Sequence, residues 1–274
     1  MSARAVDFTS PNSLKDTRHW KRQRAFYRTA EVQRYYWLIG NPVVARAEAR
    51  LLGSVPQLGR GTRMLEVGCG EGANLTTLRR LGVQLDYVGF DYFAEKVRFC
   101  RDVHAGENAF LIGDARRSFP FRDGVFDLIL VRDILHHVEA QSRATLVQES
   151  FRVLRPGGCL LVIEANTRNP IHLVHSLLMP HERLMLQTGA LKLCGWVKEV
   201  AAPFADEIEY QMEEPSTFFR LLLHYRYGFP GLGHVNAIAG LLEKLRGWCA
   251  RQSNRKRWAY SVVRMVKRSQ EMPM

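Results

Sequence analysis

Three alternating glycines follow a short apolar run and constrain the fold more than any other feature of the chain. The segment MLEVGCGEGANL, residues 64–75, carries Gly68, Gly70 and Gly72 between a strand-like stretch and a helix-competent one. Glycine adopts backbone angles that are closed to residues with a Cβ, so the chain can turn tightly and leave its N–H groups open to a ligand. Gly68, Gly70 and Ala73 also fit the dinucleotide fingerprint G-x-G-x-x-G/A, which occurs in several folds. The pattern predicts a nucleotide-binding strand-turn-helix, and residues further along the chain must identify the ligand.

More strand-like segments come after the turn, at the spacing of alternating strands and helices. Residues 85–90 run into Asp91, about 20 residues past the glycine turn, where an acidic side chain meets a ribose in such folds. Residues 109–112 lead to Asp114, which is well sited to accept a hydrogen bond from an adenine amino group. This order predicts an α/β fold with a mostly parallel sheet. Two later apolar runs that indicate buried strands are residues 126–131 and 159–164.

Five motifs in order resemble those of class I S-adenosylmethionine-dependent methyltransferases of the small-molecule group. They are LEVGCGEG, GFD, GDA, FDLI…LHHV and RVLRPGG, and together they cover about residues 60–165. Each motif alone is weak, and the specificity comes from the ordered set. The resemblance implies S-adenosylmethionine as cofactor and a Rossmann-like, seven-stranded, mostly parallel sheet flanked by helices, with an N-terminal helical cap and a helical lid insert.

The resemblance also implies which residues contact the cofactor. Glu66 and the glycine turn, which includes Gly72, would face the methionine end, where N–H groups suit a carboxylate and an acidic side chain suits an ammonium group. Asp91 would hold the ribose hydroxyls. The remaining implied contacts are Tyr92 beside the adenine, Asp114 with Ala115 at the adenine edge, and Val131 with Arg132 at the sulfonium.

Two adjacent histidines, His136 and His137, follow the fourth strand beside the expected sulfonium and are the candidate catalytic residues. Methyl transfer to a hydroxyl or an activated carbon requires removal of a proton, and histidine titrates near neutral pH. Adjacent helical residues point in different directions, so we expect only one of the two to reach the acceptor. The alternative is that both are scaffold residues.

Candidate acceptor contacts lie on both sides of the predicted cofactor core. Residues 1–55 are expected to form a helical cap, broken near residues 40–42, that closes over the methionine end of the cofactor. Residues 166–196 follow the fifth strand, at the sheet edge where acceptor pockets of open α/β sheets lie. The histidines there could contact the acceptor or, less readily, a metal; we expect no metal site because too few carboxylates accompany them. The candidate acceptor residues are Tyr35, Tyr36, Asn166, His172, His175 and His181.

The chain as a whole, residues 1–274, is predicted to be one methyltransferase domain. Around the cofactor core at residues 60–165, the last strands are expected at residues 197–214 and 256–268. Between them, residues 215–255 are expected to form the helical lid. The apolar stripes of this lid indicate packing on the core or, alternatively, an apolar acceptor pocket.

The formal net charge of +12 is concentrated at the two ends of the chain. Such charge could meet RNA phosphates, an anionic membrane or lipid substrate, or simply water. No RNA-binding module is recognisable, so a nucleic-acid partner is not expected. No apolar run approaches about 18 residues and the first residues lack a signal-peptide core, so we expect a cytoplasmic location. The five cysteines form no C-x-x-C pair and are expected to be reduced.

The sequence therefore predicts methyl transfer from S-adenosylmethionine to a small-molecule acceptor. Oxygen is the preferred acceptor atom, on a natural-product, lipid-linked or sugar intermediate. Three alternatives remain open at this point: an RNA methyltransferase, an NAD-binding oxidoreductase that uses the same fold, and a non-catalytic cofactor-binding partner protein.

Overall fold

Strands and helices alternate along the computed structural model, which describes residues 32–53, 55, 61–104, 106, 108–178, 190–214, 218–252 and 254–269. The strands are β1 (Thr62–Val67), β2 (Leu85–Asp91), β3 (Ala109–Ile112), β4 (Phe126–Arg132), β5 (Leu154–Ala165), β6 (Ala205–Glu213) and β7 (Tyr260–Lys267). The helices are α1 (Val32–Gly40), α2 (Pro42–Leu52), α3 (Ala73–Arg80), α4 (Ala94–Val103), α5 (Ala140–Val153), α6 (Pro170–Leu178), α7 (Ala190–Ala201), α8 (Phe218–Leu222) and α9 (Asn236–Gln252). Short 3-10 turns span Leu135–His137, Pro230–His234 and Arg255–Arg257.

The seven strands form one sheet in the order β3-β2-β1-β4-β5-β7-β6. The first five strands in this order are parallel, and β7 runs antiparallel between β5 and β6. The strand order reverses beside β1, and the crevice outside the carboxyl ends of the strands at such a switch point is where open α/β sheets bind ligands. The predicted fold class, a seven-stranded mostly parallel sheet flanked by helices, is confirmed.

The central strands are apolar because both faces of the sheet are covered. Along β4, Ile129 and Val131 belong to one buried apolar cluster, whereas Leu128 and Leu130 belong to the cluster on the other face. Successive strand residues point to opposite faces, so a strand covered on both sides shows no polar alternation. This packing holds the strand ends rigidly at one edge of the sheet.

The cap helices and the lid helices pack against each other in a third apolar cluster. Val44 and Ala47 of α2 meet Phe219 of α8 and Leu242 of α9 in this cluster. Asn41 caps the start of α2, because its Oδ1 accepts hydrogen bonds from the N–H groups of Val43 and Val44. Its Nδ2 donates to the carbonyl of Pro230 in the lid, at 2.9 Å. The predicted helix break at residues 40–42 is confirmed, and the cap and lid form one layer above the sheet edge.

The predicted strand over residues 197–214 is wrong in its first part. Helix α7 continues to Ala201, and β6 begins only at Ala205. Cys194, Val197 and Ala201 are all buried in the core, a helical spacing that packs one face of α7 against the sheet. Short apolar runs of this kind do not distinguish a strand from a helix until the packing decides. Strand β7 likewise starts at Tyr260, after a basic 3-10 turn, rather than at residue 256.

Within the part of the chain that the structure describes, no helix has the length and apolar character that crossing a bilayer requires.

Candidate active site

A cavity of about 300 Å³ lies at the carboxyl edge of the parallel strands. Its walls come from the glycine turn, the ends of β1, β2 and β4, the cap, α6 and α8. This volume is within the range of small-molecule sites. The predicted site residues that the structure brings together on its walls are Glu66, Gly68, Gly70, Asp91, Tyr92, Asp114, Ala115, Arg132, His136, His137, His172 and His175.

The glycine turn is held against β2 and leaves one glycine facing open space. The Gly68 N–H donates to the carbonyl of Phe90 at 2.8 Å, and Gly68 has φ +74°, with Ile134 packed so closely that a Cβ would lie 2.1 Å from it. Gly70 has φ +54° and lines the cavity, and a Cβ there would meet no protein atom within 4 Å. A ligand can therefore approach the main chain at Gly70. Gly72 does not line the cavity but closes the turn through its N–H.

Asp91 is buried at the end of β2 and ties the glycine turn to the start of α4. One carboxylate oxygen accepts from Gly70 N at 3.0 Å and the other from Phe93 N at 2.9 Å. Burial raises the pKa of Asp91, while the nearby Lys96 and the two N–H groups oppose this rise. Lys96 in turn pairs with Glu71 of the turn at 3.1 Å. The carboxylate that sequence reasoning assigned to a ribose thus has a defined orientation at the cavity wall.

Glu66 is a buried carboxyl with two hydrogen-bond donors and no ion pair among the described residues. Asn74 Nδ2 donates to it at 2.6 Å and the Tyr87 hydroxyl at 2.5 Å. Burial raises its pKa to about 7, although both donors lower it. An ammonium group beside Glu66 would favour the ionised form, so the geometry suits the methionine end of the expected cofactor.

At the opposite end of the cavity, Asp114 is paired in a way that sequence reasoning missed. Both of its oxygens accept from Arg116, at 2.8 and 2.7 Å, and the Arg116 guanidinium lies 5.4 Å from the centre of the Tyr92 ring. Burial raises the pKa of Asp114, but the contacts with Arg116 outweigh it and lower the pKa overall. Tyr92, Ala115 and this ion pair line the cavity, and an aromatic ring beside hydrogen-bonding groups suits an adenine.

Three sequence-predicted residues lie away from the cavity wall because their side chains have structural roles. The Asn166 side chain is completely buried and donates to the carbonyls of Lys256 and Trp258 at 3.1 and 2.5 Å. Val131 is buried in the apolar core, and Arg132 alone of that pair lines the cavity. The Tyr35 hydroxyl is hydrogen-bonded to Thr76 at 3.0 Å.

Tyr36 is also away from the wall, with 58% of its surface exposed, and Trp37 is the cap aromatic that lines the cavity. Consecutive helical residues point about 100° apart, so only one of these neighbours can face inward. The indole N–H of Trp37 donates to the carbonyl of Leu223 at 2.6 Å, which anchors the cap to the lid. His181, the last acceptor candidate, lies outside the described residues.

A buried histidine–carboxylate pair stands at the end of β4. His136 Nδ1 lies 2.7 Å from an oxygen of Glu164, and both side chains are almost fully buried. The other Glu164 oxygen accepts from the N–H groups of Ile134 and Leu135, at 3.0 and 2.7 Å. Glu164 therefore holds the turn and the imidazole together. The His137 ring lies 4.0 Å from the His136 ring and is less buried.

Asp133 lies between β4 and this pair. It was not predicted as a site residue from the sequence, although it directly follows a strand. Its φ of +52° is uncommon for a residue with a side chain, and such strain often occurs at functional positions. Ligand atoms of Asp133, His136 and Glu164 lie within 4.8 Å of one another, a spacing that could hold a metal ion. The oxygens of Glu164 already accept three hydrogen bonds, and the expectation of no metal site stays a prediction.

An ion cluster joins the cap, the core and the lid at the acceptor side. Glu48 of α2 accepts from Arg132 at 2.7 Å and from Arg220 of α8. Burial raises the pKa of Glu48, but the two guanidinium groups outweigh it and lower the pKa to about 2. Both guanidinium groups lie over the Tyr260 ring, at 5.9 and 5.4 Å from its centre. Sequence reasoning missed Glu48, Arg220 and Tyr260, because no local motif connects them.

The remaining acceptor-side wall is rich in aromatic rings, and two of its histidines have lowered pKa values. Burial lowers the pKa of His172 to about 4, and its Nε2 lies 3.0 Å from the carbonyl of Ala259. Burial likewise lowers the pKa of His224 to about 3. His224 was not predicted as a site residue from the sequence. The His224 ring stacks on Tyr227 at 3.8 Å and lies 5.8 Å from His175. These neutral rings favour an acceptor with apolar surface.

Comparison with known families points to the same region of the chain. Residues 65–162 match the model of a family described as a methyltransferase domain. Over these residues, which are about a third of the chain, the sequence is similar to a methyltransferase domain. The matched region runs from Leu65 in β1 to Val162 in β5 and therefore includes all of the predicted cofactor contacts.

Relatives of this methyltransferase domain act on different acceptors. A fatty-acid O-methyltransferase of Mycolicibacterium smegmatis is 38% identical over 113 residues, which are 40% of this chain and 40% of the relative. The norajmaline N-methyltransferase of Rauvolfia serpentina is 28% identical over 204 residues, 68% of this chain and 65% of the relative. The chain thus spans less than two thirds of either relative's length.

A solved structure shares the fold of this chain. Phosphoethanolamine N-methyltransferase 2 of Haemonchus contortus, in complex with S-adenosyl-L-methionine, superimposes with a TM-score of 0.55 at 20% identity, covering 96% of this chain and 60% of that one. The match to a methyltransferase domain argues against the alternative of an NAD-binding oxidoreductase.

Proposed function

We propose that this chain transfers a methyl group to a hydroxyl oxygen of a natural-product or lipid-linked acceptor, with His136 as general base. The observation that carries the proposal is the buried contact of 2.7 Å between His136 and Glu164 on the wall of the cavity. Outside the ion cluster, the acceptor side is rich in aromatic rings, which include Trp37 and Tyr225, and this supports an acceptor with apolar surface rather than a free sugar.

Residues along the glycine turn and the strand ends would bind the cofactor. S-adenosylmethionine supplies an electrophilic methyl carbon on a positively charged sulfur. Glu66 and the N–H groups of the turn suit its amino-acid end, and Asp91 suits its ribose. Tyr92, Ala115 and the paired Asp114 suit the adenine. These contacts would orient the cofactor so that the methyl group faces the acceptor side.

Glu164 would set the protonation state and orientation of His136. Its oxygen accepts a hydrogen bond from Nδ1–H, which leaves Nε2 as the nitrogen that takes the proton of the acceptor hydroxyl. The carboxylate would also stabilise the imidazolium that forms. Proton removal by a positioned base of this kind contributes about 10²–10⁴-fold to rate.

Exclusion of water would be the task of the cap and the lid. Trp37 bonds to Leu223 across the two elements, and Glu48 joins both to the core. The sulfonium loses its positive charge as the new bond forms, and a site without water does not oppose this loss.

The test compares the two neighbouring histidines. We expect His136→Ala to lower turnover by about 10²–10⁴-fold, with His137→Ala as the matched control that retains most activity. Turnover would be measured against hydroxylated lipids, natural products and sugars, and S-adenosylhomocysteine affinity by calorimetry for each protein. Normal turnover of His136→Ala would refute the base. Cofactor binding by the wild-type chain without transfer to any acceptor would favour the non-catalytic alternative.

A further inference from the structure

Helix α6 has one face in the cavity and an apolar face exposed to solvent. Ile171, His172 and His175 line the cavity. The opposite face is formed by four residues at positions i, i+1, i+4 and i+5, which lie along one side of a helix. Its members are Leu173, Val174, Leu177 and Leu178, exposed by 52%, 43%, 60% and 49% of their surface.

Exposed cations lie beside the first turn of this helix. The side chain of Asn169, one residue before α6, donates to the carbonyl of Arg257 at 2.9 Å, and Asn166 donates to the carbonyl of Lys256 at 3.1 Å. These bonds fix the basic 3-10 turn next to the helix start. The cations there are exposed and form no ion pair with any described residue: Arg168, Arg255, Lys256 and Arg257.

Other cations of the basic C-terminal region are paired with acidic side chains. Arg264 pairs with Glu207 and Glu209, and Arg246 pairs with Glu243. Those charges are therefore largely compensated within the chain. Residues 165–178 contain no acidic residue at all. Glu213 interacts electrostatically with Arg255 without forming an ion pair, so net positive charge lies beside the first turn of α6.

We infer that the apolar face of α6 and the adjacent basic turn form a docking surface for an anionic lipid bilayer. Leucine and valine side chains in a row would enter the boundary between headgroups and acyl chains, while the arginines and the lysine would meet lipid phosphates. An RNA would suit the cations but leave the leucines in water. Exposed apolar surface on one helix, next to cations of an adjacent turn, fits a bilayer better than either a nucleic acid or an acidic peptide.

Docking in this way would bring the acceptor side of the cavity to the membrane. The helix that would lie on the bilayer is the same helix that supplies His172 and His175 to the cavity wall. A lipid-linked or membrane-dissolved acceptor could then reach the cavity without crossing water. The inference concerns binding to the bilayer, so it can fail or succeed independently of the proposed base His136.

The experiment measures co-sedimentation of the full chain with vesicles. We expect binding to vesicles of equimolar phosphatidylcholine and phosphatidylglycerol, weaker binding at high salt and little binding to phosphatidylcholine alone. Leu177→Asp is expected to weaken binding by about tenfold or more, since it places a charge where an apolar side chain would be buried. Lys256→Glu with Arg257→Glu is expected to weaken it at least as strongly, because each cation contributes about fivefold.

Matched controls come from α9, which carries an equally exposed leucine and lysine. Leu241→Asp and Lys244→Glu should bind vesicles within about twofold of the wild-type chain. Thermal unfolding and S-adenosylhomocysteine binding of every variant would show that the fold and the cofactor site are retained.

Several results would overturn the inference. One is a wild-type chain that does not sediment with anionic vesicles, and another is Leu177→Asp binding as tightly as the control Leu241→Asp. A wild-type dimer in solution that Leu177→Asp converts to a monomer, with no vesicle binding, would assign the apolar face to a second copy of the chain instead. If vesicles bind but no methyl transfer is found, the docking surface stands and the proposed function fails.

Discussion

The two sides of the cavity are built in different ways. On the cofactor side, the contacts join residues close in the chain: Gly70 to Asp91 and Tyr87 to Glu66, each 21 residues apart. On the acceptor side, Arg220 reaches Glu48 across 172 residues. The first kind of contact lies within one unit of strand, helix and next strand. The second kind forms only when the cap and the lid pack on the core.

This difference explains why the two sides depend on different parts of the chain. The cofactor side rests on strand ends held by a sheet that is buried on both faces, so its geometry follows from the fold. The acceptor side rests on a buried ion cluster and on helices that join the cap to the lid. We therefore expect substitutions on the acceptor side to affect packing and turnover, and those on the cofactor side to affect ligand affinity.

The largest effect is expected from Glu48→Gln. Loss of this carboxylate leaves Arg220 buried without its counter-charge and Arg132 with only the longer contact to Asp133, at 3.7 Å, which should lower the free energy of unfolding by about 3–5 kcal/mol. Chemical denaturation measures this change in the free energy of unfolding. The control is Glu209→Gln, an exposed partner of Arg264, for which we expect less than about 1 kcal/mol. Equal small losses in both variants would mean that the cap and the lid do not depend on this cluster.

The next largest effect is expected from Glu164→Gln, which tests the acceptor side without changing its shape. The amide can still accept from the N–H groups of Ile134 and Leu135, but it would present a donor to His136 and favour the wrong tautomer. We expect turnover to fall by about 10²–10³-fold, with S-adenosylhomocysteine affinity almost unchanged. A loss of cofactor affinity as large as the loss of turnover would contradict the separation of the two sides.

On the cofactor side, Asp91→Asn should weaken S-adenosylmethionine binding by about 10- to 100-fold. The amide cannot accept from both Gly70 and Phe93 and still offer an anionic oxygen to a ribose. Calorimetry measures the affinity, with Asp86→Asn, an exposed residue of the same strand, as the control. If both variants bind the cofactor equally well, the ribose contact must lie elsewhere.

The pH dependence of cofactor binding depends on Glu66. Its pKa is raised to about 7 by burial, so the carboxyl is protonated at lower pH, whereas the ammonium group of the cofactor favours the carboxylate. Binding should therefore release a proton, and affinity should rise about tenfold per pH unit from about pH 5.5 towards pH 7. Calorimetry in two buffers of different ionisation enthalpy counts the proton. Glu66→Gln should bind more weakly at pH 7 and show no such rise.

The smallest effect compares two glycines with positive φ. Both Gly68→Ala and Gly61→Ala place a Cβ in the left-handed region, but only at Gly68 would that Cβ meet Ile134. We expect Gly68→Ala to lower the free energy of unfolding by about 1 kcal/mol more than Gly61→Ala, because a neighbour must repack. Equal losses would show that Ile134 moves away at no cost and that close packing of the turn is not required.

The amino-acid sequence alone predicted the fold class and most of the residues that line the expected cofactor side of the cavity. The glycine turn, Asp91 and Asp114 are readable because each follows a strand directly, and the strand ends of a parallel sheet meet at one edge. The same reasoning from neighbouring residues failed for Val131 and Asn166. Their neighbours in the chain line the cavity, but Val131 packs in the apolar core and Asn166 donates hydrogen bonds to the backbone of a turn. It also failed for residues 197–201, where the apolar spacing did not separate a helix from a strand.

The tertiary structure alone decided the acceptor side. Glu48, Asp133, Arg220 and Tyr260 come together only because the cap and the lid fold over the sheet edge, and no periodicity or motif links them. Burial then sets their chemistry: it makes ion pairing of Glu48 obligatory and keeps His172 and His224 neutral. The spacing of residues along the chain predicts secondary-structure elements and where they end. The partners and the protonation state of a side chain depend on its burial, which long-range packing decides.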